Sequence, residues 1–177
     1  MTIPGIQIDG QDLYAQQKMR RVAHSYPPAS TIVATNLQVP DNIGSVLRLA
    51  DAAGSNHVIF TGAAEIDFKR IHKTARNCEA LVTWDVYSIE QFMSELETLQ
   101  PLIAIEITTN STSIFETVFP DTCTFVIGNE RHGIPEAILS TCSQAVHIPM
   151  YGVNGSMNVT HALGIALFEW RRQKAHF

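Results

Sequence analysis

Three short clusters of polar residues carry the chemical content of this chain. The first runs from Asn42 through Gly44 to Arg48, and the second is Gly128-Asn-Glu-Arg-His-Gly133. The third is Ile148–Ala162, IPMYGVNGSMNVTHA. Together they hold side-chain amides, a carboxylate, a hydroxyl and a guanidinium. Such groups orient a substrate and steady charge that develops during a reaction. In the third cluster, Gly152 and Gly155 allow positive φ or close approach of a ligand. Ser156 is placed to N-cap a helix from Met157 to about Gln173. A glycine-rich loop that feeds a helix start offers unpaired backbone N–H groups to a ligand.

Several common chemistries are excluded by spacing. Gly128 and Gly133 are spaced as in a phosphate loop, but Ile134-Pro135 replaces the Lys-Ser/Thr that would hold phosphate and magnesium. No G-x-G-x-x-G follows a strand, and no serine lies in G-x-S-x-G. His132, His147 and His161 lack metal-ligand spacing with carboxylates, so no metal site is expected. Cys78, Cys123 and Cys142 are widely spaced without a C-x-x-C pair. They read as ordinary, partly buried thiols.

Elements must position these clusters. Gln11 to about His24 has helical composition with a basic end, and Tyr26-Pro-Pro-Ala-Ser30 is a break. Thr31–Leu37 reads as a buried strand. Pro40-Asp41-Asn42 starts a helix whose apolar stripe is Ile43, Val46, Leu47, Ala50 and Ala53; Gly54 stops it. Arg48 lies off that stripe. His57–Thr61 is a strand. Phe68–Asn77 is a short basic helix with Lys69, Lys73 and Arg76 on one side. Leu81–Tyr87, Leu102–Ile107, Cys123–Ile127 and Ala145–Ile148 are strands. Ile89–Leu99 and Pro135–Thr141 are helices. Strands that are apolar without a strict period of two, alternating with helices, predict a mostly parallel sheet covered on both faces. In such sheets ligands bind at the carboxyl ends of the strands, where all three clusters fall.

Composition sets the wider bounds. The chain has 177 residues, 45% hydrophobic and 16% charged, which fits one globular domain. Its N-terminus lacks a basic-then-apolar signal pattern, and no apolar run is long enough to span a membrane. A cytoplasmic protein is therefore expected. The net charge of −5 argues against a general polyanion binder, but the charge is segregated. The 12 Lys and Arg residues are clustered, and Asp85–Asp121 holds seven acids with no Lys or Arg. An anion-binding face beside an acidic back is compatible with that total.

N-x-G-x-x-x-R from Asn42 to Arg48, G-N-E-x-x-G from Gly128 to Gly133, and I-P-M-x-G-x-x-x-S-x-N-V from Ile148 to Val159 occur in that order. They resemble the three motifs of the SpoU/TrmH-type RNA ribose 2′-O-methyltransferases of the SPOUT superfamily, over about Thr31 to Trp170. The resemblance implies an α/β domain at 31–177 with a C-terminal deep trefoil knot, after a short extension at 1–30. It implies S-adenosylmethionine bound by Ile107, Gly128, Ile148, Ser156 and Met157. It implies catalysis by Arg48 with Asn42, Glu130, Ser156 and Asn158. Arg48 is expected to bind a phosphate and stabilise the developing alkoxide, since a guanidinium stays protonated. Glu130 is expected to orient Arg48 or Asn42, although Asn42 could simply cap its helix. Members of this class work as homodimers. Lys69, Arg70, Lys73 and Arg76, with Arg131 nearer the pocket, are the candidate RNA contacts. The compact chain favours tRNA as substrate. Large-subunit rRNA is a second reading, and a noncatalytic RNA-binding protein that keeps the fold is a third.

Overall fold

The computed structural model describes residues 5–23, 29–62 and 68–174. The expected first-helix end at His24 and the break at Tyr26-Pro-Pro lie outside them. Seven parallel strands form one sheet: β1 (Thr31–Thr35), β2 (His57–Thr61), β3 (Thr83–Tyr87), β4 (Leu102–Ile105), β5 (Thr112–Ser113), β6 (Thr124–Ile127) and β7 (Gln144–His147). Their order is β3-β2-β1-β6-β4-β7-β5. The helices are α1 (Gly10–Ala23), α2 (Pro40–Ala53), α3 (Phe68–Ala75), α4 (Ile89–Ser94), α5 (Leu96–Leu99), α6 (Glu136–Leu139) and α7 (Val159–Lys174). None of the described helices is long and apolar enough to cross a membrane.

Alternate residues of each central strand feed two cores, because successive side chains leave a strand on opposite faces. Ile32, Ala34, Phe60 and Phe125 pack with Val46 and Leu47 of α2 and with Leu163, Leu167 and Trp170 of α7. Val33, Ile59, Ala104 and Val126 pack on the other face with Phe92 of α4 and Ile138 of α6. Burial on both faces is why these strands lack polar alternation. Trp170, fully buried, donates its indole N–H to the Pro120 carbonyl at 3.0 Å.

Several boundaries differ from the sequence reading. The helix over Ile89–Leu99 is broken at Glu95 into α4 and α5. The helix α3 ends at Ala75, where Arg76 and Asn77 turn left-handed with φ of 50° and 73°. Arg76 therefore leaves the helical face assigned to it. The edge strand β5 was not foreseen; its two residues are polar and pair with Val146 and His147 of β7. As expected, Pro40 opens α2 and left-handed Gly54 closes it.

Helices α2 and α7 run parallel and touch along their length. Near their starts Asn158 donates to Asn42, with Nδ2 to Oδ1 at 3.3 Å. Midway, Gly164 faces Leu49. At their ends the Arg171 guanidinium donates to the carbonyls of Ala53, at 2.6 Å, and Gly54, at 2.9 Å. A cation at these last carbonyls complements the negative end of the α2 dipole.

Candidate active site

The carboxyl ends of β4, β6 and β7 surround a cavity of about 300 Å³. All five residues expected to bind the cofactor line it: Ile107, Gly128, Ile148, Ser156 and Met157. Glu130, Arg131 and Asn158 line it as well. Asn42 sits behind this wall, 7% exposed. Lys69, Arg70, Lys73 and Arg76 are exposed on and after α3, away from the cavity lining.

Gly128 and Gly133 shape the cavity wall. The backbones of Asn129 and Gly133 exchange two hydrogen bonds, of 2.9 and 3.0 Å, and so close the loop on itself. Gly133 has φ +66°, which disfavours a side chain. A Cβ on Gly128 would fall 2.1 Å from the Gly133 carbonyl carbon. Asn129 locks the same loop. Its Oδ1 accepts from the amides of Arg131 and His132, and its Nδ2 donates to the Asn36 carbonyl at 2.7 Å.

The polar residues of the three clusters form one hydrogen-bonded chain. Asn42 Nδ2 donates to Glu130 Oε1 at 2.7 Å, while Asn42 Oδ1 accepts from Asn158. The Glu130 carboxylate also accepts from the amides of Gln38 and Val39, both at 3.3 Å. Val39 is the N-cap of α2 and has no side-chain cap of its own. Glu130 thus caps α2 from another loop, where negative charge is favoured. Asn42, expected as a possible cap, instead lies inside the helix and joins the chain.

Burial pushes the Glu130 carboxyl up. Donors from Asn42 and from the backbone of Glu130, Gln38 and Val39 outweigh burial and hold it below its ordinary value of 4.5. Its native value is depressed, so the stability it contributes is present above the unfolded value. That stability is lost as pH falls through the native value. Glu130→Gln should therefore lower the melting temperature most near neutrality, with the gap to wild type closing below about pH 4.5. A pH-independent gap would contradict this.

Two expectations about the third cluster are corrected. Ser156 does not cap the final helix, which starts at Val159. Asn158 does, its Oδ1 accepting from the Thr160 amide at 2.8 Å and the Thr160 hydroxyl at 2.7 Å. Ser156 is exposed at the cavity edge. Gly152 and Gly155 are not at positive φ, and a Cβ on either would meet nothing within 4 Å.

Arg48 is exposed and does not line the cavity. It lies six positions on from Asn42, which turns it about 240° around α2 and about 9 Å along it. It lies near Cys78, where its charge works against burial and Asp51, which raise the thiol. Burial pushes the Cys123 thiol up to about 12 and Cys142 to about 11. These thiols are unreactive in character.

Sequence reasoning missed Glu106 and His147, which also line the cavity. A charged residue closing the apolar run Leu102–Ile105 was the available signal for Glu106.

A profile described as the SpoU rRNA Methylase family matches residues 29–168. The chain is 28% identical to the 23S rRNA (guanosine-2′-O-)-methyltransferase RlmB of Neisseria meningitidis serogroup B over 83% of this chain and 60% of that protein. It is 26% identical to a putative tRNA (cytidine(34)-2′-O)-methyltransferase of Mycoplasma pneumoniae over 86% of this chain and 95% of that one. The crystal structure of the SpoU methyltransferase AviRb from Streptomyces viridochromogenes, in complex with the cofactor AdoMet, superposes with a TM-score of 0.76. That match is 25% identical and covers 84% of this chain and 61% of that one. The chain spans between 50% and 60% of the length of the rRNA methyltransferase relatives it matches.

Proposed function

The chain belongs to the SpoU rRNA Methylase family, and on that premise we propose that it moves a methyl group from S-adenosylmethionine to a ribose 2′-hydroxyl of RNA. One observation carries the reading. Asn42, Glu130 and Asn158, from three distant clusters, are joined by hydrogen bonds at the wall of a cavity lined by all five expected cofactor residues.

The cavity suits an adenosine-bearing cofactor. Its wall offers backbone groups at Gly128, where a Cβ has no room, and apolar surface from Ile107, Ile148 and Met157. Adenine rings are held by such surfaces with a few directed polar contacts. The cofactor, when bound, supplies an activated methyl on a sulfonium. The chain's own residues must fix the ribose in line and ease loss of its proton. In this proposal Asn158 and Ser156 orient the hydroxyl, and Glu130 and Asn42 hold Asn158. Arg48 engages the neighbouring phosphate and steadies the developing alkoxide.

Arg48 stands outside the cavity of a single chain, which supports a homodimer with RNA lying across both copies. His161 and Phe168 are exposed on α7 and would contribute to such an interface.

RNA is also expected to contact the exposed Lys73 and Arg76. Charge reversal of both to Glu should weaken RNA binding at least about tenfold and reduce the slope of log affinity against log salt by between 1 and 2, roughly. An unchanged slope would remove these residues from the interface.

The relatives act on either rRNA or tRNA by name, so the test runs both. Labelled S-adenosylmethionine is supplied with total tRNA and, separately, with unmodified ribosomal RNA from a strain lacking this protein. Label in one pool that makes a single linkage resistant to alkali supports ribose methylation and identifies the RNA. No label in either pool, with cofactor bound, would replace catalysis by a binding role.

A further inference from the structure

Glu106 follows β4 directly and lines the cavity. Its carboxylate is fixed by two backbone amides: Ile107 donates to Oε1 at 3.0 Å, and Ile134 donates to Oε2 at 3.1 Å. Left-handed Gly133 makes room for it, since a Cβ there would fall 2.4 Å from Oε2. A carboxylate has about four lone-pair sites, so two remain beyond these amides. Among the described residues no Lys or Arg pairs with Glu106. His147, which also lines the cavity, has its Nδ1 3.1 Å from the Ser111 hydroxyl. Of the other charged lining residues, Glu130 is engaged by Asn42 and the start of α2, and Arg131 is exposed. The cavity wall therefore carries a carboxylate that no Lys or Arg of the described residues pairs with. A half-buried carboxylate in that position is complementary to a cation brought by the ligand.

We propose that Glu106 is a specificity-determining residue that favours the sulfonium form of the cofactor over its neutral thioether product. The inference rests on the methyltransferase reading above. The two ligands, S-adenosylmethionine and S-adenosylhomocysteine, differ by one methyl and one positive charge at sulfur. Their adenine, ribose and amino-acid parts are the same. The α-ammonium of the amino-acid part is common to both, so an interaction with it or with shape acts on both ligands, whereas an interaction with the sulfonium acts on one. Loss of the methyl during transfer removes the charge at sulfur, so in this proposal the same carboxylate assists release of the product.

The test is calorimetric titration of the full chain with each ligand, comparing wild type, Glu106→Gln and Glu106→Asp. Glu106→Gln removes the charge and keeps the length. Its amide nitrogen cannot accept the bond donated by Ile107 or Ile134, so both ligands should weaken, but S-adenosylmethionine at least about fivefold more than S-adenosylhomocysteine. Glu106→Asp keeps the charge but shortens the reach to the Ile134 amide. It should weaken both ligands alike and preserve their ratio. Equal losses for both ligands in Glu106→Gln would reduce Glu106 to a loop clamp and overturn the proposal, as would no change at all. If Glu106→Gln does not fold, Glu106→Ala takes its place: a larger loss for S-adenosylmethionine than for S-adenosylhomocysteine supports the proposal, and equal losses overturn it. Failure of the wild-type chain to bind either ligand would remove the methyltransferase reading itself, a result distinct from any change confined to the variants.

Discussion

Arg48→Ala should lower methyl transfer at least about a hundredfold, the scale expected when one donor to a developing oxyanion is removed. Affinity for S-adenosylmethionine should change less than about twofold, because Arg48 is absent from the cavity lining. Melting should shift little, since Arg48 is exposed. That combination separates it from Asn42 or Glu130, whose loss would also disturb the start of α2. Arg48→Lys tests the planar fork. A lysine presents a point charge and cannot grip phosphate and alkoxide together in one plane, so it should recover little of the rate. Single-turnover kinetics with saturating RNA read the difference. Near-normal turnover in Arg48→Ala would end any catalytic role.

Gly128→Ala should abolish cofactor binding and destabilise the fold by about 3 kcal/mol. The added methyl would lie 2.1 Å from the Gly133 carbonyl carbon and 2.3 Å from the Ile134 nitrogen. Both are backbone atoms, and the Asn129–Gly133 pair already holds that segment closed. No rotamer can relieve the overlap, so the loop must open. Gly155→Ala provides the contrast, having nothing within 4 Å of the new carbon. Its melting temperature should stay within a degree or so of wild type. Thermal unfolding with and without S-adenosylmethionine measures both effects. A wild-type ligand-induced shift in Gly128→Ala would show that the loop is not part of the cofactor site.

The parallel sheet was legible because its strands are buried on both faces and its helices carry clear starts and stops, as at Pro40 and Gly54. That Ile107, Gly128, Ile148, Ser156 and Met157 come together at one cavity was legible through the resemblance. What escaped was local competition among similar groups. Ser156 and Asn158 are both good caps, and the choice between them depends on where the chain enters α7, which a side-chain list does not encode. The two-residue strand β5 exists because β7 leaves an edge to pair with, not because Thr112 and Ser113 prefer it. Glu95 interrupts Ile89–Leu99 without a proline or glycine to announce it. Glu106 belongs to no spacing pattern, and its partners are backbone amides from its own loop and a distant one. Arg48 was expected at the site and does not line the cavity. Its helical phase relative to Asn42 already turned it away from the cavity.

The contacts at both ends of α2 and α7 have a mechanical consequence. A pair of rods joined at the middle and at each tip behaves as a single beam. Bending or sliding one rod must break the Arg171 clasp far from the cavity or the Asn42–Asn158 joint beside it. Entry of a ligand is therefore expected to move the ribbon at 149–157, which links the last strand to α7, rather than the beam itself. A substitution at Arg171 should be felt as play in a hinge at the opposite end of the molecule, with no direct contact between the two.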